Sequence, residues 1–168
     1  RLYWEKPAVG NYKGETFSYG QLATQIERFH IFFEACGIKK GERIAICAKN
    51  TARMAVSFLS VNTYETVVVP ILSDFTPDSV NHLVDHSESV ILFTDNDIWA
   101  KLDISKMPLL RAVVSVNDFT LLYTAEESIS KAFASVPELF SAKYPMGFTG
   151  ENVNYSTENW DDLDIINY

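Results

Sequence analysis

The chain predicts an α/β fold with a mostly parallel sheet and helices on both faces, on three observations. Short, β-branched apolar runs alternate with amphipathic stretches through the middle of the sequence. The connections between them are short. One run, Val67 to Leu72, is apolar at every position, the pattern of a strand covered on both sides. The resulting order β-α-β-α-β-α-β implies a parallel sheet joined by right-handed crossovers.

Thr16 and Phe17 form a short extended entry to the clearest helix, Ser18 to Gly37. Ser18 and Gln21 make an S-x-x-Q capping box, which satisfies two amide groups left over at a helix start. Leu22, Ile26, Phe29, Phe33 and Cys36 follow at spacings of four and three, one apolar stripe, and Gly37 supplies a left-handed cap. After the turn Lys39-Lys40-Gly41-Glu42 comes the strand Arg43 to Cys47. Asn50 or Thr51 caps a helix from Ala52 to Tyr64. Pro70 within Val67–Leu72 removes a ladder donor and argues for an edge or strand end. Thr76-Pro77-Asp78 opens a helix that runs to about His86: a capping hydroxyl, proline at the first position, an acid in the first turn. Val90 to Thr94 is the next strand, Ile98 to Leu102 a short helix, and Ala112 to Val116 another strand. Glu126 to Lys143 reads as a helix that Pro137 should kink or divide. Residues 145 to 163 show no period and read as a loop, and Ile165-Ile166 as the start of a further strand.

At 168 residues the chain is most simply one domain, able to bury roughly 70% of its unfolded surface. An apolar fraction of 47% argues against disorder, and a net charge of −8 argues against nucleic-acid binding. No run of 18 apolar residues is present to span a bilayer. Cys36 and Cys47 fall at a helix end and inside a strand, where cysteine acts as a small reduced hydrophobe, which fits a reducing compartment.

His82, Asp85 and His86 lie in "HLVDH", and the two histidines are four apart on one helix face, as in metal-binding pairs. A third ligand and the glutamate of a metalloprotease helix are missing nearby. The adopted reading is therefore capping or packing for His82 and a favourable cation at the helix C-terminus for His86. His30 sits off the apolar stripe and is expected to be exposed. Phe29, Phe32 and Phe33 read as core. Glu126-Glu127 and Asp161-Asp162 are adjacent acids that point apart and read as solvated surface. No nucleophile elbow, dinucleotide fingerprint or phosphate-binding P-loop occurs, and the "MGFTGEN" glycines Gly147 and Gly150 read as a turn. One positional argument remains: open parallel sheets bind ligands beyond the carboxyl ends of their strands. Here that edge comprises Lys49-Asn50, Ser73-Asp74-Phe75 and Asp95-Asn96.

The segments "TFSYGQLATQIERFHIFFEACGIKKGERIAICAKN" and "TYETVVVPILSDFTPDSVNHLVDHSESVILFTD" resemble the opening of the adenylate-forming acyl-CoA synthetases. The first is similar to that family's T-[FY]-x-x-L helix and G-x-x-x-G-[DE]-R-[VI]-A turn and strand. The second is similar to its V-x-V-P strand, a helix beginning near a proline and a strand ending in Asp. "LFSAKYP" and "NVNYSTENWDDLDIINY" look most like bacterial long-chain fatty acid–CoA ligases, in which "INY" leads into the phosphate-binding loop. The resemblance implies that residues 1–168 are an incomplete N-terminal subdomain ending just before that loop. The parent enzyme would use ATP, Mg2+ and coenzyme A to convert a fatty acid first to acyl-AMP, with release of pyrophosphate, and then to acyl-CoA. No residue of this chain matches a catalytic, cofactor-binding or metal-binding motif of the family, and none is assigned.

By this reading the chain is an inactive scaffold that binds none of these cofactors tightly, partnered by the remainder of the parent enzyme. Self-association through an exposed sheet edge is also open to it. The alternative is a stand-alone, non-catalytic acyl- or nucleotide-binding module. A cytoplasmic location is expected, with the lipid substrate drawing the parent towards a membrane periphery. At one point the chain departs from the family: Glu65-Thr66 stands where Gly-Ala is usual. Glycine there permits a close helix-to-strand passage, so Glu65 is expected to point outward.

Overall fold

A computed structural model describes residues 3–155 and 163–168. Its sheet follows from the alternation of side chains along each apolar run. In β3 (Arg43–Cys47), Ile44 and Ile46 face one way and Ala45 and Cys47 the other, and all four are buried. β4 (Val67–Ile71), β5 (Ile91–Thr94) and β6 (Ala112–Ser115) repeat this, and β3 pairs in parallel with β4 and β5, and β5 with β6. A fifth strand, β7 (Leu121–Thr124), joins β6 antiparallel, giving the order β4-β3-β5-β6-β7. The sequence pattern did not reveal β7, because its residues are all only half-buried and its antiparallel return needs no crossover helix. A separate two-stranded ribbon pairs β1 (Pro7–Gly10) with β2 (Thr16–Ser18), the latter being the expected extended entry.

One face of the sheet is covered by α1 (Tyr19–Ala35), α2 (Ala52–Thr63) and α5 (Glu127–Lys143) around a core dominated by Phe29, Phe32, Phe33 and Phe93. The other packs Val80 and Val84 of α3 (Pro77–His86) with Met107 and Leu110. The layers are thus helix–sheet–helix, as the two-faced strands require. The capping box of Ser18 and Gln21 forms as expected, and Gly37 has φ +68°. Of the two candidate caps for α2, Thr51 is the one used, accepting from the Met54 amide at 3.1 Å. Thr76 caps α3, with Pro77 in its first turn.

Two expectations need correction, and the one drawn from Pro70 stands. The short helix after β5 is α4 (Asn96–Trp99), two residues earlier than its apolar residues suggested, because the turn is anchored from Asp95. α5 runs unbroken through Pro137, its face of Ile129, Phe133, Val136 and Phe140 packed on the main core, where burial offsets the single amide bond that proline lacks. Pro70 lies within β4 without breaking it. The Val67 amide bonds inward to the Glu42 carbonyl and the Val68 amide outward to Asp164, so alternation turns position 70 outward as well. The missing donor therefore falls on the outer side of an edge strand. Ile165 bridges Val68 in parallel on that same side, the strand onset expected there. Trp160 to Asp162, including the acid pair Asp161-Asp162, lie outside the described residues.

Glu65 points outward, 3.2 Å from Lys40, as expected, and its backbone sits at φ +63°, the left-handed region that glycine fills without cost. Relief of the side-chain clash there is worth about 1–2 kcal/mol, against about 0.5–1 kcal/mol for the added freedom of glycine in the unfolded chain. Glu65→Gly is therefore expected to raise stability by about 0.5–1 kcal/mol in urea unfolding. A lowered midpoint would mean that the exposed Lys40 pair outweighs the strain.

Candidate functional site

Of the three loops expected at the carboxyl edge, Lys49-Asn50 and Asp95-Asn96 are joined by one buried acid. Asp95, directly after β5, is 2% exposed. Its Oδ2 accepts from the Lys49 amide at 2.8 Å, so it grips the end of β3. Its Oδ1 accepts from Asn117 Nδ2 at 3.2 Å, which grips the end of β6. Asn117 Oδ1 in turn accepts from the Asn96 amide at 2.7 Å, and the Thr94 hydroxyl donates to the Cys47 carbonyl at 2.7 Å. Asp95 thereby clasps three parallel strands at the edge where such folds place ligands. Asn117 was not among the sequence candidates. Its only signal is its place just past the last parallel strand, in the register of Asn96 after β5.

Lys49 and Asp97 at this edge engage each other. Lys49 Nζ pairs with Asp97 Oδ2 at 3.0 Å, a hydrogen bond that holds the Asp97 carboxyl below its ordinary range. Asp74 contributes to the acidic field around Lys49. The Ser73-Asp74-Phe75 turn closes on itself through the Phe75 amide and Leu72 carbonyl, leaving Phe75 and Leu72 exposed. Beside the β6–β7 turn lies a cavity of about 390 Å³, walled by Phe29, Phe32, Phe119 and Phe133 and rimmed by Arg28 and Arg53. Arg53 is bound by both Glu15 oxygens, at 2.7 and 2.8 Å, and lies over the Phe119 ring. Asp118 is held below the usual carboxylate range by the Thr120 hydroxyl.

These residues do not fit the phosphates of a nucleotide. Acids dominate the edge, and the N-termini of α2 and α3 beside it are capped from within the chain. The Ala52 amide donates to Asn11 Oδ1 at 2.8 Å, and Thr51 and Thr76 occupy the following amides. The thiols supply no nucleophile at neutral pH. Burial pushes Cys47 up to about 12, with Asp95 adding to the shift, and burial pushes Cys36 up to about 11. Among the described residues no group of three or more His, Cys, Asp and Glu side chains could hold a metal ion. No described helix is long and apolar enough to cross a membrane.

The histidines fall in two places. His82 and His86 lie with tilted rings 5.7 Å apart on the exposed face of α3, and His86 Nδ1 lies 2.8 Å from the Tyr168 hydroxyl. His30, expected to be exposed, is instead largely covered, its side chain 13% accessible. Its Nε2 reaches the Ser60 carbonyl and the Thr63 hydroxyl on α2, polar partners that an apolar-stripe argument on α1 alone does not see. Gly147 and Gly150 lie in turns, as expected.

The chain is 23% identical over 145 residues to a 4-hydroxybenzoate–CoA/benzoate–CoA ligase of Rhodopseudomonas palustris, a match covering 80% of this chain and 27% of that protein. It is 29% identical over 90 residues to an acetyl-coenzyme A synthetase of Desulfatibacillum aliphaticivorans, covering 52% and 14%. Among solved structures, an anthranilate–CoA ligase in complex with anthranoyl-AMP superposes with a TM-score of 0.74 at 12% identity, over 99% of this chain and 29% of that one. A long-chain-fatty-acid–CoA ligase from Archaeoglobus fulgidus gives 0.71 at 15% identity, over 99% and 32%. The chain thus spans about a quarter of the longer-matching curated relative. The family model described as AMP-binding enzyme matches residues 2–168, and the chain belongs to that family.

Proposed function

We propose that this chain is the scaffold portion of a longer ATP-dependent acid–thiol ligase, one that activates a carboxylate as acyl-AMP and passes the acyl group to coenzyme A. The observation that carries this reading is the family match over residues 2–168. The carboxyl edge agrees with a non-catalytic role: its buried acid, Asp95, is committed to joining strand ends, and burial favours the protonated thiol at Cys47. ATP, magnesium and coenzyme A would be held by the rest of the longer protein, which would work in the cytoplasm. For the substrate we favour a long-chain fatty acid, on the likeness of "LFSAKYP" and the closing "INY" to that class of ligase.

The test is carboxylate-dependent ATP–pyrophosphate exchange, run on this chain and on the full protein that contains it, with palmitate, benzoate and acetate in parallel. Exchange by the full protein and none by the 168-residue chain is expected, with palmitate the best substrate. Exchange by the short chain alone would overturn the scaffold reading, and an inert full protein would overturn the ligase reading. A preference for benzoate or acetate would move the substrate class and leave the rest standing.

A further inference from the structure

A second polar cluster, unrelated to the carboxyl edge, is buried where α1 and α2 meet the chain after α5. At its centre is Glu27, only 8% exposed. Its Oε1 accepts from the Tyr144 hydroxyl at 2.7 Å and from Lys143 Nζ at 2.9 Å, so the end of α5 is tied to α1. One turn along α1, His30 Nε2 lies 3.1 Å from the Ser60 carbonyl and 3.0 Å from Thr63 Oγ1. A carbonyl oxygen only accepts, and the Thr63 hydroxyl spends its proton on the Leu59 carbonyl. Nε2 therefore carries the hydrogen, which leaves Nδ1 of the neutral ring as an acceptor. That acceptor stands 4.0 Å from Glu27 Oε2. The Tyr155 ring closes the cluster edge-on at 5.8 Å from His30, and its buried hydroxyl has no hydrogen-bond partner among the described residues. Tyr64 packs on the imidazole from the end of α2 at 5.2 Å.

We propose that this cluster is a proton-operated latch, in which neutral His30 lets residues 144–155 dock on α1 and protonation of His30 releases them. The groups facing the ring are Glu27 on its own helix, Lys143 and Tyr144 at the end of α5, Tyr64 at the end of α2, and Tyr155. Burial disfavours the imidazolium and is the largest influence; Lys143 acts in the same direction. Glu27 and the Ser60 carbonyl favour the cation but do not prevail, so His30 is held below its ordinary value. Release of the segment would open the Tyr155 side of the ring to water and move that value back towards the ordinary one, near 6.5. Within the window below about 6.5 and above the docked value, the released state binds more protons. Docking therefore weakens as pH falls through the window, by up to about tenfold per unit, and is complete above it.

The segment so governed covers something. Phe148 lies 6.0 Å from Trp4 and 4.8 Å from Tyr144. Gly150, Val153 and Tyr155 form one wall of an apolar cavity of about 380 Å³ against Leu22, Ile26 and Leu59. Acid release would uncover that cavity while leaving the sheet intact.

The test is amide hydrogen exchange across residues 144–155 between pH 7.5 and 5, corrected for intrinsic exchange, on the chain and on His30→Gln. The glutamine keeps an N–H for the Ser60 carbonyl and removes the titration. Protection in the native chain is expected to fall by up to tenfold per unit below pH 6.5 and to stay level in the variant. An equal loss in both would overturn the latch. Should His30→Gln fail to fold, the His30 ring proton of the native chain is titrated by NMR. A midpoint below 6.5 is expected, and a midpoint at or above 6.5 overturns the proposal.

Discussion

Phe33→Ala is expected to cost about 3–5 kcal/mol, the range for truncating a large buried aromatic side chain. Phe33 has no exposed surface and sits at the crossing of α1 with the sheet. Its ring lies 5.9 Å from Phe32, 6.2 Å stacked from Phe29, 6.3 Å edge-on from Phe93 and 5.3 Å edge-on from Tyr64, so one truncation removes four aromatic contacts as well as the buried area. Its neighbours sit on three different elements and cannot collapse together into the space, which places the cost in the upper part of the range. For a domain stable by about 5–15 kcal/mol such a loss leaves little margin. Phe33→Leu, which keeps most of the volume, should cost far less, and Tyr12→Ala, at a ring 90% exposed, should fall within about 0.5 kcal/mol of the parent. Urea unfolding of the three variants checks the order. A loss below about 1.5 kcal/mol for Phe33→Ala would mean that the aromatic cluster relaxes around the hole.

That cluster was legible in the sequence because a helix repeats its face: the spacing of Leu22, Ile26, Phe29 and Phe33 announces a buried stripe before any partner is known. The strands were legible for a related reason, since a strand covered on both faces has no polar positions to confuse it. What stayed hidden was whatever depends on a partner distant in sequence. β7 is a half-buried return strand whose identity rests on pairing with β6. His30 looked exposed because its partners, the Ser60 carbonyl and Thr63, are contributed by α2. Proline guided the reading at one position and misled it at another. At position 70 it marked an edge correctly, while at position 137 its local objection was overridden by packing along the whole of α5. The carboxyl-edge loops could be located by topology alone, but what their side chains do could not be. Topology says where strand ends gather; it does not say that Asp95 is turned inward to join them.

Asp95 makes the sharpest test of that edge, because charge and shape can be separated. Asp95→Ala removes both acceptors and leaves the Lys49 amide and the Asn117 side-chain amide without that partner in a partly buried place; about 3 kcal/mol is expected. Asp95→Asn keeps the shape, and the bland expectation is a near-neutral change. The hydrogen-bond directions argue otherwise. Both partners of Asp95 are donors, so a carbonyl oxygen can serve one of them and the new NH2 must face the other. Turning the Asn117 amide over to offer its oxygen only moves the conflict, since its own NH2 would then meet the Asn96 amide, which now donates to it. Every arrangement contains one donor against a donor, and only a group with two acceptor oxygens resolves the chain. Asp95→Asn is therefore expected to cost about 1–3 kcal/mol despite its shape. The loss should be concentrated at the ends of β3, β5 and β6, where exchange of the Lys49 and Asn96 amides would quicken before the sheet opens as a whole. An isosteric variant within about 0.5 kcal/mol of the parent would show that the three strand ends are held by backbone pairing alone, with the carboxylate as a passenger.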